Sequence, residues 1–300
     1  MIGRGEGTAR ILDGRSIAHT MSREARGEIA ILAERLGFAP ELRIVLVGAD
    51  PASTLYARRI VRAAESIGTC GRIVRLDAHT TAGAIRETLH EASEDPAVGG
   101  VILQLPLPSG LSPDDVIDAL DPGKDLDGIH PRNAGLVSRR TGGFAPSCAE
   151  AALQILRRSG IPLAGRPTVV VGRSNVVGRP AGLLLTAEDA TVTVCHRLTR
   201  GLDALLRQAE IVVVAAGSPG LVRGDDLRPG VVVIDCGINV LSDGRIVGDV
   251  DLPSVLPVAS AVTPVPGGVG PVTNAVLMAH LVRAARAQLD RRPVESRSSA

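Results

Sequence analysis

Val169-Val-Val-Gly172-Arg-Ser-Asn-Val-Val-Gly178-Arg-Pro180 runs from an apolar strand through a glycine turn into a helix. Gly172 lets the backbone turn tightly. The helix that follows offers unpaired N–H groups and the positive end of its dipole, the usual seat of a phosphate. The spacing is not GxGxxG, so the segment also reads as an ordinary strand–helix turn. The next strand decides between the two. In NAD-binding folds its tip carries an acid for the ribose 2′-hydroxyl. Here strand 191–195 ends in His196-Arg197, with no acid. Arg173 and Arg197 at one corner favour a 2′-phosphate through charge-assisted bonds, and hence NADP over NAD. The plainer alternative is two surface arginines in an arginine-rich chain.

The same alternation extends on both sides. Strands are expected at 168–171, 191–195, 211–215 and 231–235, short and almost wholly apolar, as in a parallel sheet covered on both faces. Upstream, strands at 42–47, 72–76 and 99–103 alternate with helices at 54–67 and 81–93, and a short helix is expected at 114–120. Thr141-Gly142-Gly143 interrupts the chain, and Ser147-Cys-Ala-Glu150 has the spacing of a capping box. An amphipathic helix spans 272–288, and the polar tail 291–300 is expected to be disordered. The fold class is therefore α/β in two domains. A three-layer N-terminal substrate domain is expected at 1–146, with the helix at 272–290 returning to it. A Rossmann-like domain is expected at 147–271, and the cleft between the two is where ligands would meet.

Bulk properties narrow the partners. The chain has 300 residues, 45% apolar composition and a net charge of +1, enough for two cores and without a one-signed field for nucleic acid or an anionic membrane. Neither a membrane span nor a signal-peptide core is legible, so a cytosolic protein is expected. Cys70, Cys148, Cys195 and Cys236 lack metal-ligand spacing and read as reduced, mostly buried thiols; no structural metal is expected. Lysine occurs once, at Lys124, amid abundant arginine.

Four further segments set polar groups among apolar ones: Asp50-Pro-Ala-Ser-Thr-Leu-Tyr56, Leu103-Gln104-Leu-Pro-Leu-Pro108, Asp121-Pro-Gly-Lys124-Asp125-Leu-Asp127-Gly128 and Thr263-Pro-Val-Pro-Gly-Gly-Val-Gly270-Pro271-Val-Thr273. Singly they read as a helix cap, a satisfied buried amide, a solvated turn and a connector. Together with the nucleotide segment, Ile11-Leu-Asp-Gly-Arg15, Cys195-His196-x-x-Thr199, Asp235-Cys-Gly-Ile-Asn239 and Gly248-Asp-Val250, they resemble the bifunctional methylenetetrahydrofolate dehydrogenase–cyclohydrolase (FolD) family, nearly end to end.

That resemblance implies NADP-linked oxidation of 5,10-methylenetetrahydrofolate to the methenyl cation. Hydrolysis to 10-formyltetrahydrofolate follows, in a homodimer serving one-carbon metabolism and purine biosynthesis. It also implies roles. Tyr56 would stack on the folate, Asp127 would accept from the pterin's guanidine-like edge, and Gln104 would lie beside the reacting ring. Gly270, Pro271 and Thr273 would wall the substrate cleft. Gly172, Arg173, Ser174, Val177, His196, Arg197 and Ile238 would contact NADP.

Two positions depart from the family pattern. Four residues after its tyrosine the family has a lysine, and this chain has Ile60. Gly68 keeps the family's spacing, so the register is not shifted. A buried ammonium can exchange protons near neutrality and handle water; isoleucine cannot, and Arg59 could supply only charge. The hydride step needs mainly alignment, so the dehydrogenase is expected to survive and the cyclohydrolase to be weak or lost. In the second departure, Pro146-Ser147-Cys148-Ala149 stands where the family reads Pro-Cys-Thr-Pro. Two alternatives remain open: a non-catalytic NADP- or folate-binding paralogue, and a dehydrogenase acting on a different one-carbon substrate.

Overall fold

The computed structural model describes residues 8–291. The chain opens with β1 (Arg10–Ile11) and α1 (Gly14–Leu36). It continues with β2 (Glu41–Val47), α2 (Pro51–Ser66), β3 (Gly71–Leu76), α3 (Ala82–Glu94) and β4 (Val98–Leu103). Helices α4 (Pro131–Ser138) and α5 (Ser147–Arg158) follow. Next come β5 (Pro167–Val171), α6 (Gly178–Ala187), β6 (Thr191–Cys195), α7 (Leu202–Gln208), β7 (Ile211–Val214) and β8 (Val232–Asp235). The hairpin β9 (Asn239–Val240) and β10 (Ile246–Val247), α8 (Leu252–Val255), β11 (Ala261–Val262) and α9 (Val269–Arg291) complete the chain. Among the described residues no helix is long and apolar enough to cross a membrane.

Two compact units result. One takes the described residues up to Thr20 together with Pro131–Val276; the other takes Met21–His130 and the chain from Leu277 onward. The division between these units falls inside α1 and α9, and at residue 131. The N-terminal residues expected in the substrate domain join the other unit because β1 pairs in parallel with β11, Arg10 opposite Ala261 and Ile11 opposite Val262. Only the part of α9 from Leu277 groups with the substrate unit. The tail expected at 291–300 lies, beyond Arg291, outside the described residues.

The three-stranded unit has the order β3-β2-β4, all parallel. Strand β4 is buried throughout, which explains its unbroken apolar reading, and β2 is buried from Ile44 onward, with Glu41 and Arg43 partly buried before it. Helix α2 begins at Pro51, three residues before the expected start, because Asp50 caps it by accepting from the Ser53 amide at 2.7 Å and proline suits a first helical turn. The helix expected at 114–120 is instead two 3₁₀ turns, Pro113–Asp115 and Ile117–Ala119. Their i→i+3 bonds, Val116 N to Pro113 O and Leu120 N to Ile117 O, replace an α-helical ladder.

The six-stranded unit has the order β1-β11-β8-β7-β5-β6, again parallel. Its core lies under the valine-rich strands, with Val169, Val171, Val212, Val214 and Val233 buried against Leu206, Val222 and Val255. The helix cap expected at Ser147 is instead Pro146, and Ser147, buried, is the first residue of α5. The thiols are also less buried than expected: Cys195 is buried, Cys148 and Cys236 are intermediate, and Cys70, just before edge strand β3, is exposed.

Candidate functional site

In the six-stranded unit the chemistry-bearing residues collect at the carboxyl edge of the sheet. Strand β5 pairs with β6 on one side and β7 on the other, so the direction of winding reverses there, the place where open parallel sheets bind ligands. Gly172 leaves β5 with φ of +128°, and a Cβ built on it would lie 2.1 Å from the Ala215 carbonyl oxygen after β7. A Cβ on Gly178 would lie 2.1 Å from the Gly172 oxygen. Both positions therefore require glycine, and the turn presses the start of α6 onto the strand end. Ser174 Oγ accepts from the amides of Val177 at 3.1 Å and Gly178 at 3.5 Å, holding the helix entry in shape. The cradle kept open at Gly172 and the helix N-terminus beside it fit a dinucleotide phosphate.

Val171 pairs with Cys195, so Arg173 and Arg197 each stand two residues beyond a matched position on neighbouring strands. Both are exposed. The turn after β6 is fixed by three bonds: the His196 amide to Thr199 Oγ1 at 2.9 Å, the Thr199 amide to the His196 oxygen at 2.8 Å, and the Leu198 amide to His196 Nδ1 at 3.2 Å. Ile238, beyond β8, is 67% exposed, a large apolar face without a cover inside its unit. Gly270, Pro271 and Thr273 belong to this unit too. They form the first turn of α9 rather than the expected connector, and Thr273 Oγ1 donates back to the Val269 oxygen at 3.2 Å.

Two carboxylates that sequence reasoning gave no role organise this edge. Asp249, fully buried, accepts from the amides of Ala216 (2.7 Å), Gly217 (2.8 Å) and Ser218 (2.9 Å), and from Asn239 Nδ2 (2.8 Å). Asp235 accepts from the amides of Gly237 (2.8 Å), Asp249 (3.1 Å) and Val250 (3.0 Å). Burial pushes the Asp235 carboxyl up to about 6, against the pull of those three amides, with Asp249 adding to the rise. A Cβ on Gly237 would lie 2.4 Å from Asp249 Cγ, and one on Gly248 would lie 1.8 Å from Asp235 Oδ2. The glycines beside each aspartate were the available signal, but only the fold brings the two together.

In the three-stranded unit, the expected substrate residues also lie at a carboxyl edge. Gln104 directly follows β4 and its amide donates to the Val45 oxygen of β2 at 2.9 Å. Its side chain is buried; Nε2 donates to the Leu105 oxygen at 2.7 Å, while Oε1 has no protein partner. Asp125 bridges Val101 in parallel register, and the chain then turns, the Gly128 amide donating to the Asp125 oxygen at 3.3 Å, so that Asp127 stands in a turn just past the bridge. Tyr56 stands half-buried in the second turn of α2, which starts just past the end of β2. Tyr56, Gln104 and Asp127 all belong to this unit.

Ile60 is fully buried, on the face of α2 formed by Ser53, Ala57, Ile60 and Ala64. It lies only about 40° around the helix from Tyr56, one turn on. The sole lysine does not stand in for an amine there. Lys124 is 4% exposed, and its Nζ donates to the Asp95 oxygen at 2.7 Å and the Ala92 oxygen at 3.3 Å, the carboxyl end of α3. A cation there satisfies terminal carbonyls and the negative end of the helix dipole. Burial lowers the Lys124 pKa, opposed by Asp121 and Asp95.

Comparison with known proteins accounts for both units. Residues 12–127 match the family described as tetrahydrofolate dehydrogenase/cyclohydrolase, catalytic domain, and residues 146–289 match its NAD(P)-binding domain. A bifunctional protein FolD from Chloroflexus aurantiacus is 48% identical over 282 residues, 94% of this chain and 99% of that protein. The bifunctional FolD structure from Campylobacter jejuni superposes with a TM-score of 0.91 at 36% identity, covering 93% of this chain and 99% of that one. The FolD of Trypanosoma brucei, solved with NADP cofactor and an inhibitor, gives a TM-score of 0.89 at 35% identity, covering 93% and 98%.

Proposed function

Because this chain belongs to the tetrahydrofolate dehydrogenase/cyclohydrolase family, we propose that it oxidises 5,10-methylenetetrahydrofolate with NADP and opens the methenyl product weakly or not at all. NADP, when bound, supplies the acceptor for the hydride. The chain's residues do the rest. The Gly172 turn and the start of α6 seat the phosphates, and Arg173 and Arg197 meet the 2′-phosphate. His196, Val177 and Ile238 complete the cofactor contacts. Asp127 accepts from the pterin's N–H edge and Tyr56 stacks on its ring. Gln104 presents Oε1, a buried acceptor without a protein partner, to the ligand. Gly270, Pro271 and Thr273 line the substrate side. Alignment of two bound rings supplies most of what hydride transfer requires.

Hydrolysis asks for something more, a group that handles water and a proton. The observation that carries the reading is Ile60: a hydrocarbon with no exposed surface where relatives are expected to hold a titratable amine, while the one lysine is committed to the end of α3. The reading places the enzyme as a homodimer in the cytosol, feeding one-carbon units toward purine synthesis. Its test is to add protein to methenyltetrahydrofolate without cofactor and follow the methenyl absorbance. The decay should equal that of buffer within about twofold, whereas a general acid–base group in place would accelerate it by about a hundredfold or more.

A further inference from the structure

Among the described residues two buried side-chain atoms have no hydrogen-bond partner, Gln104 Oε1 and Asn274 Oδ1. Gln104 meets the ligand in the proposed function, which leaves Asn274 without a role. Asn274 lies in the second turn of α9, directly after Thr273. Thr273 Oγ1 turns back onto its own helix and donates to the Val269 oxygen. Asn274 Oδ1 finds no such partner, although an unpaired buried amide oxygen costs stability.

Gly270 stands one turn before Asn274, four residues back and about 40° around the helix, so the two share a face. Nothing in the chain demands a glycine there. Its φ is not positive, and a Cβ built on it would meet no atom within 4 Å beyond its chain neighbours and its own helix backbone. Glycine weakens a helix relative to alanine, so the open space over this turn is kept at some cost. Side chains on a helix lean toward its N-terminus, which carries the Asn274 amide toward that space. Asn274 as a whole is only partly buried, so a turn about its side-chain bonds brings Oδ1 to a ligand there.

We propose that Asn274 recognises the carboxamide of a nicotinamide ring lying over Gly270, and so selects a pyridine 3-carboxamide as the hydride acceptor. This role rests on the reading that NADP is the cofactor. An asparagine side chain offers an acceptor and a donor side by side. A primary carboxamide offers the matching pair, so the two exchange two hydrogen bonds whichever way the asparagine amide is turned. The pterin's N–H edge already has Asp127 in the proposed function. Asn274 belongs to the six-stranded unit, which carries the expected cofactor residues. For a hydride to pass, the nicotinamide must also end where the folate does, beside the turn of Gly270 and Pro271.

The test measures Kd for wild type and Asn274→Leu with NADP, with its 3-acetylpyridine analogue and with adenosine 2′,5′-bisphosphate. The analogue has a methyl ketone in place of the carboxamide, and the bisphosphate has no nicotinamide at all. Wild type should prefer NADP over the analogue by about tenfold, and Asn274→Leu should lose most of that preference. Binding of the bisphosphate should change by less than about twofold. Ligand-free Asn274→Leu should melt no lower than wild type, because it removes an unpaired buried acceptor. Gly270→Ala should also melt no lower without ligand, yet bind NADP more weakly and the bisphosphate as before. A preference for NADP that survives in Asn274→Leu, an equal loss with the bisphosphate, or a ligand-free Asn274→Leu that melts lower would each overturn the proposal. Wild type that binds neither NADP nor the bisphosphate would instead count against NADP as the cofactor. The same comparison of NAD with its acetylpyridine analogue would then decide whether Asn274 reads the carboxamide.

Discussion

On the proposed function, the difference between two reactions comes down to the side chain at position 60. Ile60→Lys should raise methenyltetrahydrofolate opening by about tenfold or more, while Ile60→Leu, equally apolar, should not. Since the site has no exposed surface, the new ammonium is desolvated, and the variant should also unfold at lower temperature. No gain in an Ile60→Lys protein that still binds folate would remove Ile60 as the cause. Lys124→Met makes the reverse point. It leaves the Asp95 and Ala92 carbonyls without their donor and should cost about 1–3 kcal/mol in denaturant unfolding while dehydrogenase kcat stays near wild type. Arg173 and Arg197 belong to selectivity. Alanine at either should reduce the preference for NADP over NAD by about tenfold, one charge-assisted contact, in paired Kd measurements.

Among the elements, the strand ends do the positioning, and the Asp235–Asp249 pair holds three of the loops that leave them. The folded Asp235 carboxyl titrates near 6, above its ordinary 3.8. A raised carboxyl pKa means that the stability it contributes is complete below the unfolded value and is lost as pH rises through about 6. Carboxyl ¹³C shifts should place its midpoint there; a midpoint near 4 would contradict the environment described. How much of this was legible follows from the same parts. Strands β5, β7 and β8 announced themselves because each is an apolar run buried in a sheet, whereas β6, at the sheet edge, is buried only at Cys195 and was read from its β-branched residues. Strands β1 and β11 have two residues each, too short for any pattern, and exist through pairing with distant partners. Gly172 was readable from its turn, whereas the Asp249 bonds to residues 216–218 cross more than 30 positions and needed the fold. At the start of α5 the local spacing was off by one residue, since the cap is Pro146 and not Ser147.

On the scale of the whole molecule, each unit is built on a parallel sheet, and each matches one half of the same two-domain family. Alternation of strands and helices was enough to anticipate that architecture. The assignment of the N-terminal residues was not, because the β1–β11 pairing reaches across some 250 residues. On the proposed reading, cofactor binding and hydride transfer persist while hydrolysis is weak or lost. The most direct measurement mixes the protein with 5,10-methylenetetrahydrofolate and NADP and follows NADPH and methenyltetrahydrofolate absorbance separately. The expected result is a parallel, near-equimolar rise of both, with the methenyl species decaying no faster than in buffer. NADPH rising while methenyl never accumulates would show both steps running despite Ile60 and would contradict the account.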